Sequence, residues 1–378
     1  MDKKKICFIT AVPSTATAFL GGHMKELSRH FTVHYICNAP GAAGVTVNCD
    51  EFYSIEIKRG ISIVKDFKAL IKLYKRFRAE KYASVHSVTP KAGLLTAIAG
   101  WLAGVPVRIH IFTGQVWANK TGLGRWILKN LDKLIAKLDT NILTDSEGQR
   151  QYLIRNGVVS DNKSRVLGKG SISGVDLARF SPSEQVRNGI RTELNISDDK
   201  TVFIFLGRLN HDKGLYDLLP AFDTLARERN DVYLLLVGDD EENVAAHFSD
   251  YHNIIPGKNF CYYGLTNEPQ KLLQAGDVFV LPTLREGFGT SVIEAAAMAI
   301  PAICSDAYGV IDAMLDNVTG LRCRMSDPDS LREAMAAFAD HPEWILTMGK
   351  NARQRVIEDF DGAYVTRLWV DYYVQSLL

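Results

Sequence analysis

The chain has 378 residues, of which 47% are hydrophobic and 23% are charged, and its formal net charge is +1. This length exceeds what one hydrophobic core commonly supports, and the composition is that of an ordinary folded protein, which excludes a disordered chain. No apolar run is long enough to span a bilayer, and the six cysteines lack the spacing of a metal site. We therefore expect two domains and reduced cysteines in the cytoplasm.

The near-zero net charge conceals an asymmetry between the two halves of the chain. Residues 1–168 contain 25 Lys and Arg against 12 Asp and Glu, a difference of +13, whereas the remainder contains 19 against 31, a difference of −12. Such an asymmetry indicates binding to nucleic acid or to an anionic membrane. Two domains with complementary charges are the alternative.

Short apolar segments alternate with helical segments along the chain. The predicted strands are Ile6–Thr10, Val33–Cys37, Ser84–Ser87, Val107–Phe112, Asn141–Thr144, Val202–Gly207, Val232–Val237, Val278–Leu281 and Ala302–Ser305. This alternation predicts an α/β fold with two Rossmann-like, doubly wound parallel sheets. The glycine-rich stretch at 168–174 predicts a boundary, so residues 1–168 would form the first domain and residues 169–357 the second.

The segment from Ile61 to Arg78 is predicted to be a basic amphipathic helix. Its apolar side chains include Val64 and Phe67, and a neighbouring stripe carries Lys65, Lys68, Lys72 and Lys75. A second segment with aromatic and basic residues, 117–137, contains Lys129 and Lys133. Each cation near an anionic lipid surface contributes about 1 kcal/mol, so both segments predict reversible membrane attachment. Helices that simply cover the sheet with hydrated lysines are the alternative.

Two cations follow the predicted strand at 202–207. Arg208 comes directly after Gly207, and Lys213 follows before the next helix. A planar guanidinium and a mobile ammonium are the two usual groups that neutralise a diphosphate. In open α/β sheets ligands bind at the carboxyl ends of the strands. The pattern therefore predicts an anion site at this edge.

A second segment, from Pro282 to Ala299, predicts the same kind of ligand. It combines a strand end, a glycine loop and a helix start, with Glu286 and Glu294 on either side of Gly287 and Gly289. The free N–H groups of a helix N-terminus attract anions, and glycine allows a ligand to approach the backbone closely. Glu294 would accept hydrogen bonds from hydroxyl groups. A ligand with phosphate and polyol parts is implied.

These segments resemble family 4 retaining glycosyltransferases. The resemblance rests on Gly207-Arg-Leu followed by Lys213-Gly, on Glu286-Gly-Phe-Gly followed by Glu294, and on Gly170-Ser followed by Gly174-Val-Asp, and it extends over nearly the whole chain. It implies the GT-B fold, in which two domains face each other across a cleft and a final helix, here 358–378, returns to the first domain. Phe112-Thr-Gly-Gln-Val-Trp117 resembles bacterial transferases that extend undecaprenyl-diphosphate-linked sugars, particularly N-acetylgalactosaminyltransferases of N-glycan and O-antigen assembly.

The resemblance implies a role for each residue at the donor site. Arg208 and Lys213 would neutralise the diphosphate as the glycosidic bond breaks, which is an electrostatic role. Glu294 would hold the ribose and Glu286 would face the donor sugar. Tyr262 or Tyr263 would stack on the base, although strand aromatics are more often core residues. The donor-binding set implied in addition is Gly21, Gly22, Gly207, Tyr263, Gly287, Phe288, Gly289 and Thr290.

The first domain departs from the family pattern at one position. Thr113-Gly114 stands where many members have His-Gly, and His110 lies three residues earlier. Thr113 would offer its hydroxyl to the reacting sugar, and His110 would either assist or be a buried strand residue. His86, Thr89 and Lys91 end another strand at the same edge and would bind the acceptor, Lys91 through its phosphates unless it is simply solvated.

The resulting prediction is a retaining, metal-independent glycosyltransferase without a cofactor. It would move a hexose or N-acetylhexosamine, with N-acetylgalactosamine as the best candidate, from a UDP-sugar to a polyprenyl-diphosphate-linked saccharide on the cytoplasmic face of the membrane. The acidic run at 239–242 is expected to be a solvated loop rather than a metal site. The alternatives are a nonhydrolysing UDP-N-acetylglucosamine 2-epimerase of the same fold and a nucleic-acid-binding protein, although we expect no nucleic acid partner.

Overall fold

The computed structural model describes residues 3–377 except Arg59 and Ile61. Ile61, the first residue of the predicted basic helix, and the outermost ends of the predicted first domain therefore lie outside the described residues. The contacts divide the chain into two domains. The first domain is the chain up to Gly174 together with the segment from Gly362 onward, and the second is Val175–Asp361. The boundaries thus fall after residues 174 and 361 rather than after 168 and 357.

The first domain is built on a seven-stranded parallel sheet in the order β3-β2-β1-β4-β5-β6-β7. Its strands are β1 Lys5–Ile9, β2 Thr32–Cys37, β3 Glu51–Ser54, β4 Ser84–Val88, β5 Val107–Phe112, β6 Asn141–Thr144 and β7 Ser164–Arg165. Its helices are α1 Pro13–Phe19, α2 Gly21–Leu27, α3 Ile63–Glu80, α4 Pro90–Ala103, α5 Gly122–Leu138, α6 Glu147–Arg155 and, after the second domain, α13 Gly362–Leu377.

Helices cover both faces of this sheet because successive strand residues point to opposite sides. Ile6 and Phe8 belong to the core cluster under α2 and α13, whereas Cys7 and Ile9 belong to the cluster under α3 and α4. No helix in the described part of the chain combines the length and the apolarity that crossing a bilayer requires.

The aromatic residues of α13 complete the core of the first domain. Trp369 and Tyr373 are fully buried. The indole of Trp369 stacks on His23 with ring centroids 4.8 Å apart and on His86 at 5.1 Å. Large apolar side chains at this end of the chain are therefore explained by packing on α2 and on the sheet.

The second domain has a six-stranded parallel sheet in the order β10-β9-β8-β11-β12-β13. Its strands are β8 Thr201–Leu206, β9 Val232–Val237, β10 Phe260–Gly264, β11 Val278–Leu281, β12 Ala302–Ser305 and β13 Gly320–Cys323. Its helices are α7 Glu184–Glu193, α8 Leu215–Glu228, α9 Pro269–Leu273, α10 Thr290–Ala297, α11 Pro328–Asp340 and α12 Pro342–Asp359. The central strands β9 and β11 are apolar and buried throughout, as in sheets covered on both faces.

Candidate active site

The loops that follow β8 and β11 touch at the carboxyl edge of the second sheet. Gly214 lies in the left-handed region with φ of 78°, and a Cβ there would overlap the carbonyl oxygen of Pro282. Thr283 Oγ1 and the backbone N–H of Leu284 both donate to the carbonyl oxygen of Asp212, each at 2.9 Å. Only glycine at position 214 permits this approach. The two predicted motifs therefore form one surface.

Two ion pairs bridge the same loops. The Lys213 ammonium pairs with the Glu286 carboxylate, and the Arg285 guanidinium pairs with Asp212. Gly309 packs against the backbone of Glu286 so closely that a Cβ would overlap its carbonyl oxygen. The Lys213 side chain remains 18% exposed, so its ammonium is held in place but accessible to a ligand.

Arg208 is held by an acidic side chain that follows β9, the strand on the other side of β8. Its Nη1 donates to both oxygens of Glu241, at 2.7 and 2.9 Å, and Asn210 Nδ2 donates to the same carboxylate at 3.0 Å. The acidic run at 239–242 is largely exposed to solvent, as expected, but three of its carboxylates are hydrogen-bonded, since Asp240 and Glu242 also accept backbone hydrogen bonds. Sequence reasoning missed Glu241, although carboxylates directly after a strand were a visible signal.

Helix α10 begins beside this edge and carries Glu294 in its second turn. Its N-cap residue, Gly289, has φ of 96°, and the Phe288 side chain packs on Phe360 in the core with centroids 5.2 Å apart. Phe288 can therefore contribute only its backbone to a ligand. Burial raises the pKa of the Glu294 carboxyl to about 7, although the charge of Arg179 acts in the opposite direction. Thr290 opens the helix and is partly exposed.

The two candidate base-stacking tyrosines differ in their surroundings. The Tyr262 hydroxyl donates to the carbonyl oxygen of Gly238 at 3.1 Å, and its ring packs edge-on against Phe248. Tyr263 is 42% exposed. Of the two, Tyr263 is thus the side chain that is free to meet a planar ligand.

His86 and His110 are interior residues of the first domain, and this corrects their prediction as acceptor-binding residues. His86 is 1% exposed, and its Nδ1 is hydrogen-bonded to the Tyr373 hydroxyl at 2.6 Å. His110 is equally buried, and its Nδ1 is hydrogen-bonded to Ser87 Oγ at 2.8 Å. Neither ring is available to a ligand, so the buried-strand alternative holds for His110.

Three other predicted residues of the first domain lie at the carboxyl edge of its sheet. Thr89 precedes α4 with φ of 76°, an unusual conformation for threonine, and its buried Oγ1 has no hydrogen-bond partner among the described residues. Lys91 forms an ion pair with Asp66 of α3 at 2.8 Å, so its charge is partly compensated within the domain. Thr113 is partly exposed directly after β5.

Gly21 and Gly22 lie at the start of a helix. Helix α1 already begins at Pro13, so the two glycines follow it at the start of α2 instead of lining a loop directly after β1. A Cβ on either would meet no atom closer than 3.5 Å. Packing within the protein therefore does not require glycine at either position, and their contact with the donor stays a prediction.

The lysines predicted to contact the membrane fall into two groups. Lys68, Lys72, Lys75 and Lys133 are exposed and form no ion pair with a described residue. Lys65 is paired with Glu56 at 2.7 Å. The Lys129 ammonium donates to Asn156 at 3.2 Å and lies 5.5 Å from the ring centroid of Trp117, so it serves the fold and not a free basic surface.

Family models match both domains. The model described as Glycosyl transferase 4-like domain matches residues 15–170, and the model described as Glycosyl transferases group 1 matches residues 186–355. Both describe glycosyltransferases, and together they span most of the chain. The chain belongs to the glycosyltransferases of family 4, which have the GT-B fold.

Similar curated proteins include bacterial glycosyltransferases of capsular polysaccharide biosynthesis and of diphosphoundecaprenol-linked sugars. A capsular polysaccharide biosynthesis glycosyltransferase of Staphylococcus aureus, CapM, is 28% identical over 97% of this chain and 95% of its own length. A UDP-Gal:alpha-D-GlcNAc-diphosphoundecaprenol alpha-1,3-galactosyltransferase of Escherichia coli is 28% identical over 88% of this chain and 86% of its own. An N,N'-diacetylbacillosaminyl-diphospho-undecaprenol alpha-1,3-N-acetylgalactosaminyltransferase of Campylobacter jejuni is 25% identical over 82% and 81%.

Solved structures share the fold. The crystal structure of Anabaena HepE in complex with UDP superimposes with a TM-score of 0.79 at 17% identity, covering 99% of this chain and 100% of that chain. This likeness extends to both parallel-sheet domains, as the sequence predicted.

Proposed function

We propose that this glycosyltransferase moves a hexose or an N-acetylhexosamine from a UDP-sugar to a polyprenyl-diphosphate-linked saccharide, with retention of configuration and without a metal ion. N-acetylgalactosamine is the proposed sugar. The relatives from E. coli and C. jejuni act on diphosphoundecaprenol-linked sugars, and the structural neighbour HepE binds UDP, which supports both substrates. The reaction would take place on the cytoplasmic face of the membrane.

The observation that carries the proposal is the cation pair at the carboxyl edge of the second sheet. Arg208 and Lys213 follow β8, and both are already paired with carboxylates, Glu241 and Glu286. A diphosphate is a stronger acceptor of charge-assisted hydrogen bonds than a single carboxylate. It would therefore replace these carboxylates, while Glu294 in α10 accepts hydrogen bonds from the ribose hydroxyls.

The chemistry follows from this electrostatic arrangement. As the bond between the anomeric carbon and the diphosphate breaks, negative charge grows on the leaving oxygen, and Arg208 and Lys213 stabilise it. The acceptor hydroxyl attacks from the side on which the diphosphate leaves and gives its proton to a departing phosphate oxygen. Configuration is retained because attack and departure occur on one face. Thr113 contributes a hydroxyl to the reacting sugar in this proposal.

Peripheral attachment to an anionic membrane is part of the proposal and is supported by the surface of α3. Ile63 is 81% exposed and Phe67 is 62% exposed, and Lys68, Lys72 and Lys75 lie beside them. On α5, Trp126 is 63% exposed near the basic residue Lys133. Exposed apolar groups next to unpaired cations are typical of helices that lie in a lipid interface.

We expect Lys213→Ala and Glu286→Ala each to lower kcat about a hundredfold or more. The first change removes the ammonium that stabilises the charge of the transition state, and the second removes the carboxylate that holds this ammonium in place. The assay combines a panel of UDP-sugars with short-chain polyprenyl-diphosphate saccharides in buffer containing EDTA, and NMR determines the anomeric configuration of the product. Lys258→Ala and Glu333→Ala, which change exposed residues of the same domain, are the matched controls.

Four outcomes would each contradict a part of the proposal. Near-normal turnover in both site variants would remove the assigned site. An inverted product would exclude retention, and activity that disappears with EDTA would exclude a metal-independent reaction. Failure of every UDP-sugar in the panel would reject the donor class.

A further inference from the structure

The loop between β5 and α5, residues 113–121, is organised around one buried aromatic residue. Trp117 is 1% exposed although it lies in a loop at the edge of the sheet. Two turns on either side hold the backbone, since the N–H of Ala118 donates to Gln115 O at 3.0 Å and that of Lys120 donates to Trp117 O at 3.2 Å. The same loop begins with Thr113.

A hydrogen bond to α5 fixes the orientation of the Trp117 indole. Trp117 Nε1 donates to Asp132 Oδ2 at 2.7 Å, and Asp132 lies on α5 with 6% of its surface exposed. Tyr152 of α6 stacks on the indole with centroids 5.3 Å apart and planes 18° apart. Burial raises the pKa of Asp132 to about 7, and the indole hydrogen bond partly offsets this rise.

Two cations of α5 contact this loop. The guanidinium of Arg125 lies 5.1 Å from the Trp117 ring centroid and donates to the carbonyl oxygens of Ala118 at 2.8 Å and of Trp117 at 3.3 Å. Lys129 lies over the same ring at 5.5 Å. Cations over an indole face are attracted by its quadrupole. Helix α5 thus contacts the loop both at the Trp117 ring and at backbone carbonyl groups.

An apolar pair would fill this space without burying a carboxyl, and such replacements are often neutral or stabilising. A buried polar pair contributes directionality, because the hydrogen bond is satisfied in only one orientation of the indole. The loop that is fixed in this way starts at the carboxyl end of β5, where ligands of α/β sheets bind.

We propose that Asp132 is a positioning residue, which fixes the 113–121 loop through the Trp117 indole and so orients Thr113 for sugar transfer. This inference rests on the proposed function. It adds that α5 orients Thr113 through Trp117, a residue that does not itself contact the substrates.

The test compares Asp132→Leu, Asp132→Asn and Trp117→Phe with Trp101→Phe, a matched control that removes an exposed indole from α4, outside the proposed membrane surface. Misplacing a catalytic group costs large factors in rate, so Asp132→Leu and Trp117→Phe should lower kcat about tenfold or more. The affinity for UDP, measured by calorimetry, should stay within twofold. Asp132→Asn keeps an oxygen acceptor and should retain most of the rate. Trypsin should cleave faster after Lys120 in the two impaired variants only.

A double variant, Trp117→Phe with Asp132→Leu, separates positioning from stability. Replacing both partners by apolar groups restores packing without restoring the hydrogen bond. We expect wild-type thermal stability but a kcat that stays low. The proposal would be overturned if the double variant recovered kcat, or if Asp132→Asn were as impaired as Asp132→Leu. It would also be overturned if a folded Asp132→Leu variant kept the wild-type rate and cleavage pattern. Lack of transfer by the wild type would instead reject the proposed function, while the cleavage pattern still reports on the loop.

Discussion

The cations at the carboxyl edge of the second sheet are already neutralised without a ligand. Arg208 is paired with Glu241 and Lys213 with Glu286, and both carboxylates lie on loops beside that of β8. A diphosphate that binds Arg208 must first displace Glu241 and then remains near its negative charge. The pair therefore holds the guanidinium in position but opposes binding of the anion.

We predict that Glu241→Gln tightens UDP binding about two- to fivefold, because an exposed ion pair contributes only about 0.4–1 kcal/mol and the substitution removes like-charge repulsion. Isothermal titration calorimetry with UDP measures this change. The control is Glu333→Gln, an exposed position on α11. Weaker binding by Glu241→Gln would mean that Glu241 mainly orients Arg208, and this prediction would be wrong.

The sequence predicted the positions of some site residues but not the surroundings of others. The positions of Arg208, Lys213 and Glu286 follow from strand ends and loop glycines, which are local features. The burial of His86 does not, because it depends on Tyr373 in a helix 287 residues further along the chain. The residues next to a histidine at a strand end do not reveal whether its ring contacts a ligand or a distant tyrosine.

Among the secondary-structure elements, the strands that were not predicted from the sequence lie at the edges of the sheets. They are β3 and β7 in the first sheet and β10 and β13 in the second, among the strands that the structure describes. An edge strand pairs on one side only and is less buried, so its residues do not form the apolar run that identifies a central strand. Predicted central strands such as Val107–Phe112 and Val232–Val237 have the same bounds in the structure.

Helix α3 leads to a prediction about membranes. Replacing Lys68, Lys72 and Lys75 by glutamine should weaken binding to vesicles of equal parts phosphatidylglycerol and phosphatidylcholine roughly a hundredfold, because each cation contributes about 1 kcal/mol. Vesicle cosedimentation measures the loss. The matched control replaces Lys25, Lys258 and Lys350, which are exposed elsewhere and change the net charge equally. Equal loss in both triple variants would exclude a specific role for α3.

Across the whole molecule, buried carboxyls and buried histidines together determine how stability depends on pH. Burial raises the pKa of Asp132 and of Glu294 to about 7 and that of Asp139 to about 8, so their contribution to stability grows as the pH falls from about 8 to about 4, where unfolded carboxyls titrate. Burial lowers the pKa of His23 to about 4, that of His110 to about 3 and that of His86 well below 6.5, so folding loses stability as the pH falls below 6.5.

The midpoint of thermal unfolding should therefore rise from pH 8 to pH 6.5, where these carboxyls titrate and the histidines do not, and change much less from pH 6.5 to pH 5, where the carboxyls and the histidines oppose each other. Each group changes the free energy of unfolding by up to about 1.4 kcal/mol per pH unit within its range. Asp139→Asn should reduce the rise between pH 8 and pH 6.5 and make the midpoint fall from pH 6.5 to pH 5, because fewer carboxyls then oppose the histidines. A midpoint that rises steadily from pH 5 to pH 8 would contradict the prediction.

The return of α13 to the first sheet has a consequence for biosynthesis. His23, His86 and Trp369 stack in one core, yet the ribosome makes Trp369 only after the entire second domain. Until then one face of the first sheet is covered only in part, by α2, while the second domain, which is continuous in sequence, can already fold. The portion of the polypeptide that emerges first is thus the one that matures last, and during translation its open face is a place where a chaperone would bind.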